Sequence, residues 1–142
     1  MQHAYSLDSV PTTAGDLGRR TAMGVLVAIA AVLLTQTVVD VLGIALGAGG
    51  PTSPFGAGAL VGSTVVAGIG AAVVYAGLLR FTDKPGRNFV AVAAAVFLVM
   101  LLPVAVVAPS MGVTTAGQAV LAVHHLLVAV PLVAFITGAV GR

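Results

Sequence analysis

Four long apolar runs, residues 21–46, 55–79, 89–108 and 116–140, make up most of this chain. Each reaches or exceeds the roughly 20 residues that an α-helix needs to cross a hydrocarbon layer about 30 Å thick. Composition agrees: 59% of the 142 residues are hydrophobic and 7% are charged, whereas soluble domains carry about 25% charged residues. That is too little polar surface to cover a globule in water. Cysteine is absent, which excludes a disulfide scaffold and a thiolate metal centre. The expected fold is all-α, a polytopic membrane protein with four transmembrane helices.

The few charges orient it. Arg19 and Arg20 precede the first run, Arg80, Lys84 and Arg87 lie between the second and third, and Arg142 ends the chain. The segments 47–54 and 109–115 carry no charge. Every Lys and Arg therefore falls on one side of a four-span arrangement. The positive-inside rule puts that side, with both termini and the 80–87 loop, in the cytoplasm of a cell bounded by this plasma membrane. The basic residues form no stripe interleaved with aromatics, so nucleic acid is not an expected partner. A cleaved signal peptide is the rival reading of the first run. At 26 residues the run is far longer than the 7–15 of a signal core, and retention is expected.

Residues 1–18 read as a polar cytoplasmic tail and 19–142 as the membrane domain. Asp16 stands where its carboxylate can cap the first helix and meet the positive end of its dipole. The breaker clusters Gly49-Gly50-Pro51-Thr52-Ser53-Pro54, Thr82-Asp83-Lys84-Pro85-Gly86-Arg87 and Pro109-Ser110-Met111-Gly112 mark turns. Such short connections make successive helices antiparallel neighbours in an up-down-up-down bundle, N-in and C-in.

Lipid tails are as apolar as Val or Leu, so these helices must associate through close backbone approach and buried polar contacts. Small residues four apart suit that approach: Gly43 and Gly47 in the first run, Gly58 and Gly62 in the second, Ala134 and Gly138 in the fourth. The same pairs would serve a homo-oligomer. Tyr75, Phe81 and Phe89 flank the basic loop, where interfacial rings anchor helices.

The ionisable residues within the runs are Asp40, His124 and His125, accompanied by Gln36 and Gln118 and by the helix-breaking Pro103 and Pro131. A charged group at the membrane centre costs at least ~2.5–3.5 kcal/mol, so such residues face the bundle and find partners. Counting 1.5 Å per residue within the expected runs puts Asp40 and the histidines about 5 Å apart in depth. The expected site is therefore a polar cluster of Gln36, Asp40 and one of His124 and His125. His125 shares a helix face with Gln118, and His124 points about 100° away, toward Gly117 and Pro131. Such a cluster serves as packing glue, as a proton or ion path, as a haem ligand, or as a small-molecule or quinone pocket. Adjacent histidines diverge too far to bind one iron from the same helix. Enzyme chemistry has no foothold: there is no Glu, no paired carboxylate, no nucleophile elbow and no phosphate loop.

Two stretches carry a family resemblance: Ala71-Ala72-Val73-Val74-Tyr75-Ala76-Gly77-Leu78-Leu79-Arg80-Phe81 through Pro85, and His125-Leu126-Leu127-Val128-Ala129. In them the chain resembles an uncharacterised prokaryotic family of small four-span membrane proteins, known only as a domain of unknown function. The resemblance singles out His125. His124 departs from its pattern, which has an apolar residue there. It implies fold and location and no activity. The expectation is a non-enzymatic structural or accessory subunit, in an oligomer or a larger membrane complex, with membrane lipid around it and no cofactor. The alternatives are a small transporter or proton conductor built on an Asp–His pair, and a haem-binding redox anchor.

Overall fold

The computed structural model describes residues 10, 11 and 13–140. Among them are four long helices, α1 (Ala14–Val41), α2 (Ala57–Phe81), α3 (Pro85–Val106) and α4 (Thr115–Ile136), and no strand. All four are long and apolar enough to span a membrane.

The helix ends follow local chemistry. Thr13 is extended, and its hydroxyl accepts from the amide of Asp16 at 3.0 Å. This cap starts α1 two turns before the apolar run. Asp16 sits in the first turn, where it pairs with Arg20 at 3.1 Å and Arg19 at 3.6 Å. Residues 14–18, expected in the tail, are thus helical; residues 10, 11 and 13 of that tail are non-helical, and 1–9 and 12 lie outside the described residues. At the other end α1 stops five residues short of the expected 46. The amide of Gly43 donates to the Asp40 carbonyl (3.1 Å) and that of Ile44 to Val39 (3.3 Å), with Gly43 left-handed at φ +65°. This pair of hydrogen bonds is the Schellman closure, which a glycine permits without Cβ strain. Similarly, α4 ends at Ile136, not 140, ahead of a left-handed Gly138.

The chain after α1 folds over the end of the bundle away from the basic loop, with left-handed backbone at Gly47, Ala48 and Gly50. Thr114 ties the two far loops together: its amide donates to the Leu46 carbonyl (2.9 Å) and its hydroxyl to Ala45 (2.7 Å). The same hydroxyl accepts from the Gly117 amide at 3.0 Å and so caps α4. Val39, Leu46, Phe55, Ala108 and Val113 form an apolar plug beneath this tie. Gly47, at φ +73°, is bridged to Val113, and a Cβ on it would collide with the Gly112 carbonyl.

In the bundle, α1 packs most extensively on α4 and next on α2, α2 and α4 meet only narrowly, and α1 does not touch α3. Close approach between helices comes through Gly24 and Gly68. A Cβ at Gly24 would lie 3.3 Å from the Pro131 carbonyl oxygen, and one at Gly68 would strike Val25. The expected packing residues sit elsewhere. Gly43 and Gly47 lie beyond α1, and Gly58 and Gly62 look outward from α2 with no atom near a built Cβ. Tyr75 and Phe89 are buried, ring against ring at 5.1 Å and 73°, in a second apolar cluster with Leu17, Leu132 and Ile136. They are core residues, and of the three expected anchors only Phe81 is exposed.

Candidate functional site

Because α2 leans on α1 and away from α4, a cavity of about 800 Å³ opens between α2, α3 and α4. Its wall includes Thr64 and Ala67 of α2, Phe97 and Met100 of α3, and His124 and His125 of α4. The rim residues Val66 and Met100 are 69% and 43% exposed, so the cavity opens sideways between α2 and α3. In a bilayer that side faces the hydrocarbon.

The polar groups in this apolar wall have defined hydrogen-bond roles. Ser63 and Thr64 both donate their hydroxyl protons to the Leu60 carbonyl, at 3.2 and 2.7 Å. His125 Nδ1 lies 2.7 Å from the Leu121 carbonyl. A carbonyl only accepts, so Nδ1 carries the proton and Nε2 is left as a bare acceptor. His124 is only 4% exposed, and neither of its ring nitrogens has a hydrogen-bond partner. A neutral imidazole carries one N–H donor and one acceptor nitrogen. A buried polar group left unsatisfied costs about 1–3 kcal/mol.

His124 owes its place to helical periodicity. Gly117, Leu121, His124, Val128 and Leu132 recur at spacings of four and three, forming the stripe of α4 that faces the bundle. His125 stands one step round the helix, half-buried and satisfied by its own backbone. The family resemblance pointed to His125, whereas the unsatisfied imidazole belongs to His124. That stripe was legible in the sequence. Thr64, Phe97 and Met100, which complete the wall from two other helices, carried no signal of their own.

Gln36 and Asp40 form a separate pair at the far end of α1. Gln36 is 8% exposed, its Nε2 donates to Asp40 Oδ1 at 2.8 Å, and its Oε1 has no partner. They line a second, smaller pocket with Leu46, Ser53 and Phe55. Asp40 is bonded to neither histidine. With α1 ending at Val41, Asp40 lies in the last turn, while His124 is nine residues into α4. Measured from those helix ends, the depth gap is about 12 Å, more than twice that expected from the apolar runs and beyond side-chain reach. The expected cluster of Gln36, Asp40 and one histidine is therefore not formed: the Gln36–Asp40 pair and the histidines occupy separate sites. Gln118 joins neither; its Nε2 donates to the Val104 carbonyl at 2.9 Å and so caps α3.

Among the described residues no group of three or more His, Asp or Glu is placed to hold a metal ion. What the cavity offers is an apolar, laterally accessible volume with an imidazole in its wall. Such a wall can meet an uncharged molecule with one or two hydrogen bonds.

Comparison with curated proteins and with solved structures gives no match. A family model described as "Family of unknown function (DUF6069)" matches residues 12–142, so it takes in all four helices, both loops of the sealed end and the cavity. The chain, with its four helices long and apolar enough to cross a membrane, belongs to this family, whose function is unknown.

Proposed function

We propose that this chain is a non-enzymatic accessory protein of the cell membrane that holds a lipid-soluble small molecule between α2, α3 and α4. The observation that carries the reading is His124, a buried imidazole in the wall of an apolar cavity, with both nitrogens unpartnered. Folding leaves few buried polar groups unsatisfied, and each one calls for an explanation. An occupant of the adjoining volume supplies it. A volume near 800 Å³ lies within the roughly 300–1,000 Å³ of small-molecule sites, which combine apolar walls with a few polar groups. The lateral opening lets such a molecule arrive from the bilayer without crossing water. Holding a molecule for a larger membrane complex suits a chain without catalytic motifs. The charge distribution supports an orientation with the basic end in the cytoplasm. The Asp–His conductor loses its geometric basis with Asp40 and the histidines so far apart.

The test is native mass spectrometry of protein extracted gently from its own membrane. The expected result is the chain with a discrete added mass that organic solvent removes and that His124→Leu diminishes. Bare chain, or chain carrying only phospholipid, would refute the reading.

A further inference from the structure

The hydrogen-bond roles around the cavity also select the chemical class of its occupant; this step rests on the reading just given. The protons of Ser63, Thr64 and His125 Nδ1 are already donated to backbone carbonyls. Among the described lining residues, the N–H of His124 is the one side-chain proton not committed. Acceptors are in excess: the second nitrogen of His124, Nε2 of His125 and the lone pairs of the two hydroxyls. A molecule that only accepts, such as a ketone, ester or quinone, would use the single N–H and leave the acceptors unmet. A hydroxyl accepts from that N–H and donates to an acceptor, matching the wall on both counts.

Depth narrows the class further. Thr115–Ile136 spans about 33 Å, and His124 lies about 14 Å from its start, within about 3 Å of the middle. A phospholipid headgroup or ionised carboxylate is held at the membrane surface, and a charge at this depth is expensive. The polar group must therefore be neutral. Two aromatic rings, Phe89 and Phe97, and the Met100 thioether belong to the α3 side of the wall. Aromatic edges and faces, and sulfur beside a ring, make favourable contacts with another ring. We infer that the cavity takes an uncharged, hydroxyl-bearing aromatic lipophile, a phenol or hydroquinone, with its hydroxyl at His124.

Three probes of nearly one shape test this on the full chain in lipid nanodiscs: 1-naphthol, its methyl ether and naphthalene. The ether keeps an acceptor and loses the donor; naphthalene has neither. Naphthol is expected to bind about five- to tenfold tighter than the ether, the worth of one hydrogen bond, and the ether no weaker than naphthalene. In His124→Leu the ether should bind like naphthalene, since the one uncommitted N–H of the wall is gone. Equal binding of naphthol and its ether to the unsubstituted chain would overturn the hydroxyl assignment and leave the cavity reading standing. Failure of all three to bind would overturn both. The comparison on the unsubstituted chain decides the matter even if the variant does not fold.

Discussion

The unpartnered imidazole makes a prediction that runs against ordinary experience with buried residues. Replacing His124 by Leu in protein stripped of lipid-soluble molecules should raise its stability. The side chain is 4% exposed, and neither nitrogen is hydrogen-bonded. The folded state therefore carries one unsatisfied donor and one unsatisfied acceptor, at about 1–3 kcal/mol for each group buried without a partner. Leucine fills a similar volume and has no such requirement. Two offsets reduce the gain. An imidazole in the unfolded chain within a membrane finds other partners, which is why polar contacts there average only about 0.6 kcal/mol. The branched side chain must also settle against Leu121 and Val128. A net gain of about 1–2 kcal/mol remains, readable as a shift in a reversible denaturation midpoint in mixed micelles. In protein saturated with ligand the sign should reverse, because only the unsubstituted chain gains the hydrogen bonds. A loss of 1 kcal/mol or more in stripped His124→Leu would mean that His124 already satisfies itself within the protein, and the argument for an occupant would fall.

Other substitutions separate packing glycines from free ones. Gly117→Ala should destabilise by about 1–3 kcal/mol, because the added methyl meets the Leu46 carbonyl. By contrast Gly58→Ala and Gly62→Ala, with open space around them, should be neutral or gain up to about 1 kcal/mol from helix propensity; a marked loss in the same denaturation assay would place an oligomer interface there. Thr114→Val removes the α4 cap and the tie to Ala45, at about 1–2 kcal/mol, and should speed amide exchange in both far loops. Asp40→Asn should shift stability by no more than about 0.5 kcal/mol and leave ligand binding unchanged, since Asp40 is exposed and apart from the cavity. Altered ligand affinity in that variant would reconnect the two sites.

The number of membrane helices and their alternation were legible because apolar run length and turn residues act locally. The helix ends were not. Gly43 lies in the apolar stretch Val41-Leu42-Gly43-Ile44-Ala45-Leu46, where hydropathy continues although the helix stops. Only the left-handed φ of Gly43 and its two closing hydrogen bonds end it. That five-residue difference shifted the inferred depth of Asp40 and joined it to histidines it does not reach. Gly24 and Gly68 were missed for a different reason: what makes them matter is the element across from them, Pro131 in one case and Val25 in the other. The repeated Gly58 and Gly62 spacing fits a packing motif, yet the α2 face that bears it points away from the other helices. His124 shows the converse. Its spacing from Gly117 and Leu132 places it on the inner stripe, although the resemblance favoured its neighbour.

Crosslinking from within the wall tests the central claim most directly. A photoreactive amino acid is placed at Met100, on the rim of the cavity, or at Leu98, on the same helix but outside the cavity lining. Both positions are exposed on the bundle surface, at 43% and 64%, so both meet bulk lipid. Irradiation in the native membrane, followed by intact-protein mass spectrometry, reads what each position touches. A cavity that holds a lipid-soluble molecule predicts a discrete small-molecule adduct at position 100 and only phospholipid adducts at position 98. The same phospholipid spectrum at both would show that bilayer lipid alone fills the space beside His124, and would contradict the account.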